Sequence, residues 1–162
     1  MSISVGDRIP DGSLMIAGQS ALQELPVAAA LAGRSVVIFG LPGAYTGTCS
    51  SAHVPSFIRT FAAFKAKGVD EILCVSVNDA HVMTAWGAAT GAAKAGIVMA
   101  ADPDASFTKA LGLDYAAGFS RSMTRSKRYA MHLVDGVVKV LNVEASTGIC
   151  EISGGETLLE QL

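Results

Sequence analysis

The sequence predicts an α/β fold, a three-layer sandwich in which helices flank a mixed central sheet. Short β-branched runs alternate with helical patterns along most of the chain, as strands joined by packed helices require. A late Asp135-Gly136 pair separates two apolar runs; this is a strong hairpin signal and adds antiparallel strands. Hydrophobic residues make up 51% of the 162 positions, enough for a well-filled core without a disulfide or metal staple.

The elements follow in order. Val36-Val37-Ile38-Phe39, followed by Gly40 and Pro42, reads as a buried strand. Val54, Phe57, Ile58, Phe61 and Phe64 recur at three- and four-residue spacing, one face of a helix that runs to about Lys67 and is closed by Gly68. Ile72 to Val77 is a second buried strand, and Asn78 or Asp79 caps a helix carrying Val82, Met83 and Trp86. Ile97 to Ala100 is a third strand, and Asp104 to Leu111 a short helix ending at Gly112. Tyr129 to Val134 and Val137 to Val143 form the hairpin, and Leu158, Leu159 and Leu162 a final amphipathic turn or helix. The Ala/Gly-rich stretch Gly87 to Gly96 is read as a helix end and loop rather than a linker. No internal repeat is evident, so one domain over residues 1–162 is expected.

Twelve basic and fourteen acidic residues give a formal charge of -2, which creates no strong field for nucleic acid or anionic lipid. The dense basic run Arg121, Arg125, Lys127 and Arg128 reads as a local site plus a solvated loop. The opening MSISVGDRIPDG lacks the pattern of a signal peptide, and no apolar run of about 18 residues offers a membrane span. Neither nucleic acid nor membrane is therefore expected as a partner. Three cysteines, an odd number, argue against a secreted disulfide framework. The cytoplasm is the default compartment, where a useful cysteine is more often reactive than structural.

One cysteine stands apart. GLPGAYTGTCS, Gly40 to Ser50, joins the first buried strand to the first long helix, the junction where ligands bind in open α/β sheets. A helix start presents unpaired N–H groups and the positive end of the macrodipole. Both favour a thiolate over a thiol at Cys49; the competing reading is a small buried hydrophobe. Thr46 occupies the position three before Cys49, so there is no C-x-x-C redox motif. Its hydroxyl can donate and accept, which suits a partner for the two oxygens of a peroxide. Arg128, taken alone, reads as a surface cation ending a loop before the Tyr129 strand.

The histidines carry less. His53 lies four residues after Cys49 on the same helix face; a Cys–His pair is conceivable, and helix packing is preferred. His132 shares a strand face with Arg128, roughly 13 Å away at about 3.3 Å per residue, and reads as a satisfied structural histidine. His81 sits near a helix start. No cluster of Cys, His and carboxylates has metal spacing.

Pro42-Gly43-Ala44-Tyr45-Thr46-Gly47-Thr48-Cys49-Ser50 resembles the P-G-A-F-T-P-x-C-S signature of the type II (atypical two-cysteine) peroxiredoxins. Further matches are Val5-Gly6-Asp7, Pro10-Asp11, His53-Val54-Pro55-x-Phe57 and Gly68-Val69-Asp70-Glu71-Ile72. Cys74-x-Ser76-Val77-Asn78-Asp79, Ala85-Trp86, Ala101-Asp102, Arg128-Tyr129-Ala130 and Leu141-Asn142-Val143-Glu144 extend them along nearly the whole chain. The resemblance implies a thioredoxin-like sandwich, which the element order also fits, and a homodimer packed through loops near the site. It implies reduction of hydrogen peroxide and organic hydroperoxides with no metal or organic cofactor. In that scheme Cys49 attacks and becomes a sulfenic acid, Thr46 orients the peroxide, Pro42 shields the pocket, and Arg128 stabilises thiolate and departing oxygen. The partners would be peroxide and a thiol reductant such as glutathione, glutaredoxin or thioredoxin. The alternative is a redox-sensing interaction protein, which would need Cys49 but no peroxide-orienting Thr46.

Two departures matter. Gly47 stands where the family usually has proline, which frees the helix start, and Tyr45 replaces phenylalanine with the ring kept. The resolving thiol stays open among Cys150, Cys74 and an external thiol. Cys74 is inside an apolar run, with burial as its default. Cys150 lies near the position of a resolving cysteine in mammalian-type relatives, about two residues early against the terminal Leu-x-x-Leu segment. The reading leans to Cys150 or an external thiol.

Overall fold

The Val36–Phe39 run lies inside a seven-stranded mixed sheet in a computed structural model that describes residues 1–118 and 123–162. Arg121 of the basic run falls outside the described residues. In chain order come β1 (Ser13–Ala17), β2 (Leu22–Pro26), α1 (Val27–Leu31) and β3 (Ser35–Leu41), then a π-helical turn (Cys49–His53) leading into α2 (Val54–Ala66). Next are β4 (Glu71–Ser76), α3 (Ala80–Thr90), α4 (Ala92–Ala95), β5 (Val98–Ala101) and α5 (Ser106–Ala110). The chain ends with β6 (Asp114–Ala117), β7 (Met123–Ser126), β8 (Tyr129–Val134), β9 (Val137–Val143) and α6 (Gly155–Glu160).

The sheet order is β2-β1-β5-β4-β3-β8-β9. Strands β3, β4 and β5 run parallel, and the outer pairs are antiparallel. Strand alternation divides the core into two layers. Val37, Phe39, Leu41, Ile72 and Cys74 face the layer that holds Cys49, Phe57, Phe64 and Trp86. Val36, Ile38, Leu73 and Val75 face the other, with Phe107, Tyr129 and Leu133. Gly40 allows one close approach: a Cβ there would lie 2.1 Å from the Tyr129 ring, so the missing side chain makes room for that ring from its cross-strand partner on β8.

The expected strands and helices are present, with bounds shifted by a residue or two. Asp79, not Asn78, caps α3, its Oδ1 accepting from the His81 N–H at 2.7 Å. The hairpins β1–β2 and β6–β7 and the helices α1 and α4 are additions to the expected order. So is the π turn, which lies just upstream of Pro55. Proline has no N–H to donate and its ring crowds the carbonyl four residues back. The turn before it widens, and Val54 donates to the Cys49 carbonyl five residues earlier.

Candidate active site

Cys49 sits in the first turns of the helix that β3 feeds. The Thr46 carbonyl accepts from Ser50 N–H at 3.1 Å, which makes Thr46 the N-cap and Gly47 the first helical residue. The loop before it is tied down from a neighbouring strand end. Asn78 Oδ1 accepts from Ala44 N–H at 2.9 Å and from the Ser76 hydroxyl at 2.7 Å. Trp86 Nε1 donates to the Ser50 hydroxyl at 3.2 Å, and the exposed Tyr45 ring stands 6.4 Å from the Trp86 ring. Tyr45 has a φ of 62°, a left-handed conformation uncommon for such a residue.

Arg128 directly precedes β8, the strand that pairs with β3, and is buried to 1% exposure. It is not the surface cation that its position alone suggested. Its Nη2 donates to Cys49 Sγ at 3.4 Å and to the Thr147 carbonyl at 2.7 Å, and its Nη1 donates to His53 Nδ1 at 3.1 Å. Among the described residues no carboxylate pairs with it. A buried guanidinium costs several kcal/mol unless a negative charge compensates. The Cys49 sulfur is the group in contact that can carry one.

His53 is fully buried. Its Nε2 donates to the Ser153 carbonyl at 2.9 Å, leaving Nδ1 as the acceptor for Arg128. Burial first, and the Arg128 charge second, lower its pKa to about 3. The ring is neutral and positions the guanidinium. With both nitrogens engaged, it is not the base of a Cys–His pair, in line with the preferred packing role.

The Thr46 hydroxyl donates to the Gly43 carbonyl at 2.7 Å, so its lone pairs face outward as acceptors. Thr46, Pro42, Arg128 and Thr147 line a cavity of about 280 Å³ above the helix start. Pro42 is buried in its wall. The structure thus brings Cys49, Thr46, Arg128 and Pro42 together.

The other two cysteines are placed differently, and all three are free thiols. Cys74, at 0% exposure, lies in the middle of β4 between Phe39 and Met99, and burial holds its thiol well above the usual range. Cys150 is half-buried on the 145–154 loop, with Sγ 3.9 Å from the Ser153 hydroxyl. Burial also pushes its thiol up, against a smaller lowering from Ser153 and Arg128. That loop is fastened to the site: Thr147 holds Arg128, the Thr48 hydroxyl donates to the Gly148 carbonyl at 3.0 Å, and Ser153 holds His53.

Glu144 was missed as a site residue. Its Oε1 accepts from the N–H groups of Glu151, Ile152 and Ser153 and from the Ser153 hydroxyl, all within 2.9 Å. It shapes the Cys150 loop, and only its presence in the family match pointed to it. His132 is structural as expected, its Nε2 bonded to the Ser35 hydroxyl at 2.8 Å. The His81 side chain is exposed near the start of α3. Among the described residues no group of three His, Cys, Asp or Glu could hold a metal ion, and no helix is long and apolar enough to cross a membrane.

This geometry has close counterparts. The redoxin family pattern matches residues 4–159. Peroxiredoxin-2C of Oryza sativa subsp. japonica is 44% identical over 99% of this chain and 98% of its own length. Peroxiredoxin-2B of Arabidopsis thaliana is 42% identical over the same shares. The crystal structure of reduced Prx3 from Vibrio vulnificus in complex with hydrogen peroxide superposes with a TM-score of 0.92 at 48% identity, covering 98% of each chain. The central sheet with its flanking helices is the thioredoxin-like fold of these relatives, and the chain belongs to the redoxin family as a type II peroxiredoxin.

Proposed function

We propose that Cys49 is the peroxide-attacking thiolate of this thiol-dependent peroxidase. The observation that carries the assignment is the buried Arg128, which meets Cys49 Sγ at 3.4 Å and has no carboxylate partner among the described residues. A hydroperoxide enters the cavity and donates its O–H to Thr46, whose hydroxyl is oriented as an acceptor. The thiolate attacks the terminal oxygen, an S–O bond forms and the O–O bond breaks. Arg128 stabilises the negative charge as it moves from sulfur to the departing oxygen. That oxygen takes a proton and leaves as water or an alcohol, and Cys49 is oxidised to a sulfenic acid. Pro42 keeps bulk water off the sulfur.

A thiol then reduces the sulfenic acid. The anchoring of the 145–154 loop to Arg128, Thr48 and His53 supports Cys150 for this step over the sheet-locked Cys74. Opening of the loop would relieve the burial that pushes the Cys150 thiol up. Glutathione, glutaredoxin or thioredoxin would complete the cycle, acting on the Cys49 sulfenic acid or on a Cys49–Cys150 disulfide. Exposed Tyr45, Met123, Ile149 and Ile152 support a homodimer packed through loops near the site. Three free thiols suit a reducing compartment such as the cytoplasm.

The test is peroxide consumption by Cys49→Ser, Cys74→Ser and Cys150→Ser, each supplied with several thiol reductants. Cys49→Ser should abolish turnover with all of them; activity surviving in that variant overturns the mechanism. Cys150→Ser should retain turnover only with reductants that attack the sulfenic acid directly.

A further inference from the structure

We infer that Arg125 selects hydroperoxides carrying a carboxylate on the carbon skeleton, binding that group at the mouth of the active-site cavity. The inference rests on the reading of Cys49 as the peroxide-reducing thiolate and concerns which peroxide reaches it. Hydrogen peroxide is little larger than water, whose share of liquid volume is about 30 Å³, whereas the cavity measures about 280 Å³. Space remains beyond the reacting oxygens for an organic group, and its wall has a definite chemistry.

That wall is the ribbon β6–β7. Tyr115 and Arg125 are direct cross-strand partners, so their side chains emerge on one face, and both line the cavity. The Arg125 guanidinium lies against the backbone of the catalytic loop. A Cβ built on Gly43 would stand 3.5 Å from its Nη1 and 3.3 Å from the Thr46 methyl, so the guanidinium reaches the loop at Gly43, close to Thr46. Arg128 is fully buried at the floor, and Arg125 is half-buried nearer the solvent. A hydroperoxide whose terminal oxygen meets Cys49 directs its carbon skeleton outward, past Thr46 toward Arg125.

The electrostatics favour an anion there. Among the described residues the lining includes two guanidinium groups and no carboxylate. Glu144 lines the neighbouring cavity and has Oε1 committed to the Cys150 loop. A guanidinium presents a planar fork that matches a carboxylate, and as a half-buried group it is screened less than one on an open surface. The chemistry is otherwise that of any hydroperoxide. The terminal O–H is transferred to sulfur, the O–O bond breaks, and the alkoxide takes a proton to leave as a hydroxy acid.

The experiment compares kcat/KM for three substrates: hydrogen peroxide, a tert-butyl hydroperoxide analogue with one methyl extended by a carboxylate, and the methyl ester of that analogue. The wild-type chain should prefer the carboxylate over the ester by about fivefold at low salt, with the preference shrinking as salt is raised. Arg125→Gln should remove the preference while hydrogen peroxide turnover stays within about twofold, and Arg125→Lys should keep part of it as a point charge without the fork. A preference that persists in Arg125→Gln overturns the inference, as does an equal fall with all three substrates. Failure of the underlying reading would look different, because hydrogen peroxide consumption would then survive in Cys49→Ser.

Discussion

At the scale of single residues, His53 shows how a side chain can serve a reaction without taking part in it. Its Nε2 is spent on the Ser153 carbonyl and its Nδ1 on Arg128, and the Phe39 and Phe57 rings pack within 5.7 Å. The folded-state pKa of about 3 lies below the ordinary 6.5, so the unfolded chain takes up the proton first as the pH falls. The stability contributed by the neutral ring is therefore complete above about pH 6.5 and is lost progressively toward pH 3, at up to about 1.4 kcal/mol per pH unit for one proton. Urea midpoints of the wild type should fall more steeply between about pH 7 and pH 5 than those of His53→Asn, whose amide can accept from Arg128 but does not titrate. Because the ring stays neutral throughout that range, the kcat/KM–pH profile of His53→Asn should keep its wild-type shape. A limb that vanished with the substitution would instead restore the Cys–His pair. His53→Phe leaves a buried guanidinium N–H without an acceptor and should lower kcat/KM about tenfold by misplacing Arg128.

At the scale of elements, the turn that carries Cys49 begins at a glycine. Gly47 is the first residue of the helix, is exposed, has no positive φ and would meet nothing within 4 Å if it carried a Cβ. Proline is favoured at that position, where its missing N–H costs nothing. We propose that glycine there favours mobility over stability, so that the turn can unwind and expose the buried Cys49 sulfur for regeneration. Gly47→Pro should stabilise the turn by about 0.4–1 kcal/mol and slow sulfenic acid reduction about two- to fivefold, with the first reaction with peroxide unchanged. Trp86 is the only tryptophan and bonds Ser50 beside Cys49, so its fluorescence follows both steps in a stopped-flow experiment. Unaltered regeneration and unaltered amide exchange over residues 47–50 would remove the argument.

The turn also marks where sequence reading stops. Helical spacing from Val54 to Phe64 identified α2 because its buried face repeats regularly. The π turn before Pro55 breaks that period and leaves no pattern of its own. Strand β2 was unread for a related reason: its LQELP segment is largely exposed and does not alternate. By contrast β3 and β4 are buried on both faces, and continuous β-branched runs announce them.

At the scale of the whole molecule, the site joins parts of the chain that local pattern does not connect. Cys49 and Arg128 are 79 positions apart, and His53 and Ser153 are 100 apart. The position of Cys49 at a strand-to-helix junction was legible from spacing and helix physics. Arg128 in isolation was not, and it became so only through the family motif. The carbonyls of Thr147 and Ser153 are backbone groups, and the Glu144 carboxylate binds backbone N–H groups, so side-chain identity reveals none of these contacts.

The same global view separates the two spare cysteines. Cys74 shares the core layer of Cys49, but it is embedded in β4 with hydrogen-bonded strands on either side. Bringing its sulfur to Cys49 would require the central sheet to part from α2, which approaches the cost of global unfolding, about 5–15 kcal/mol for a domain. The Cys150 loop instead is held by side-chain hydrogen bonds with Arg128, Thr48, His53 and Glu144, so its opening leaves the sheet intact. Cys74→Ala should therefore keep steady-state peroxidase activity within about twofold while losing about 1 kcal/mol of stability from a small buried void. Peroxide treatment without reductant, followed by peptide mass analysis, should recover a Cys49–Cys150 link and none that involves Cys74. A tenfold loss of activity in Cys74→Ala with unchanged thermal stability would mean that the sheet opens during turnover, and the resolving step would then pass to Cys74.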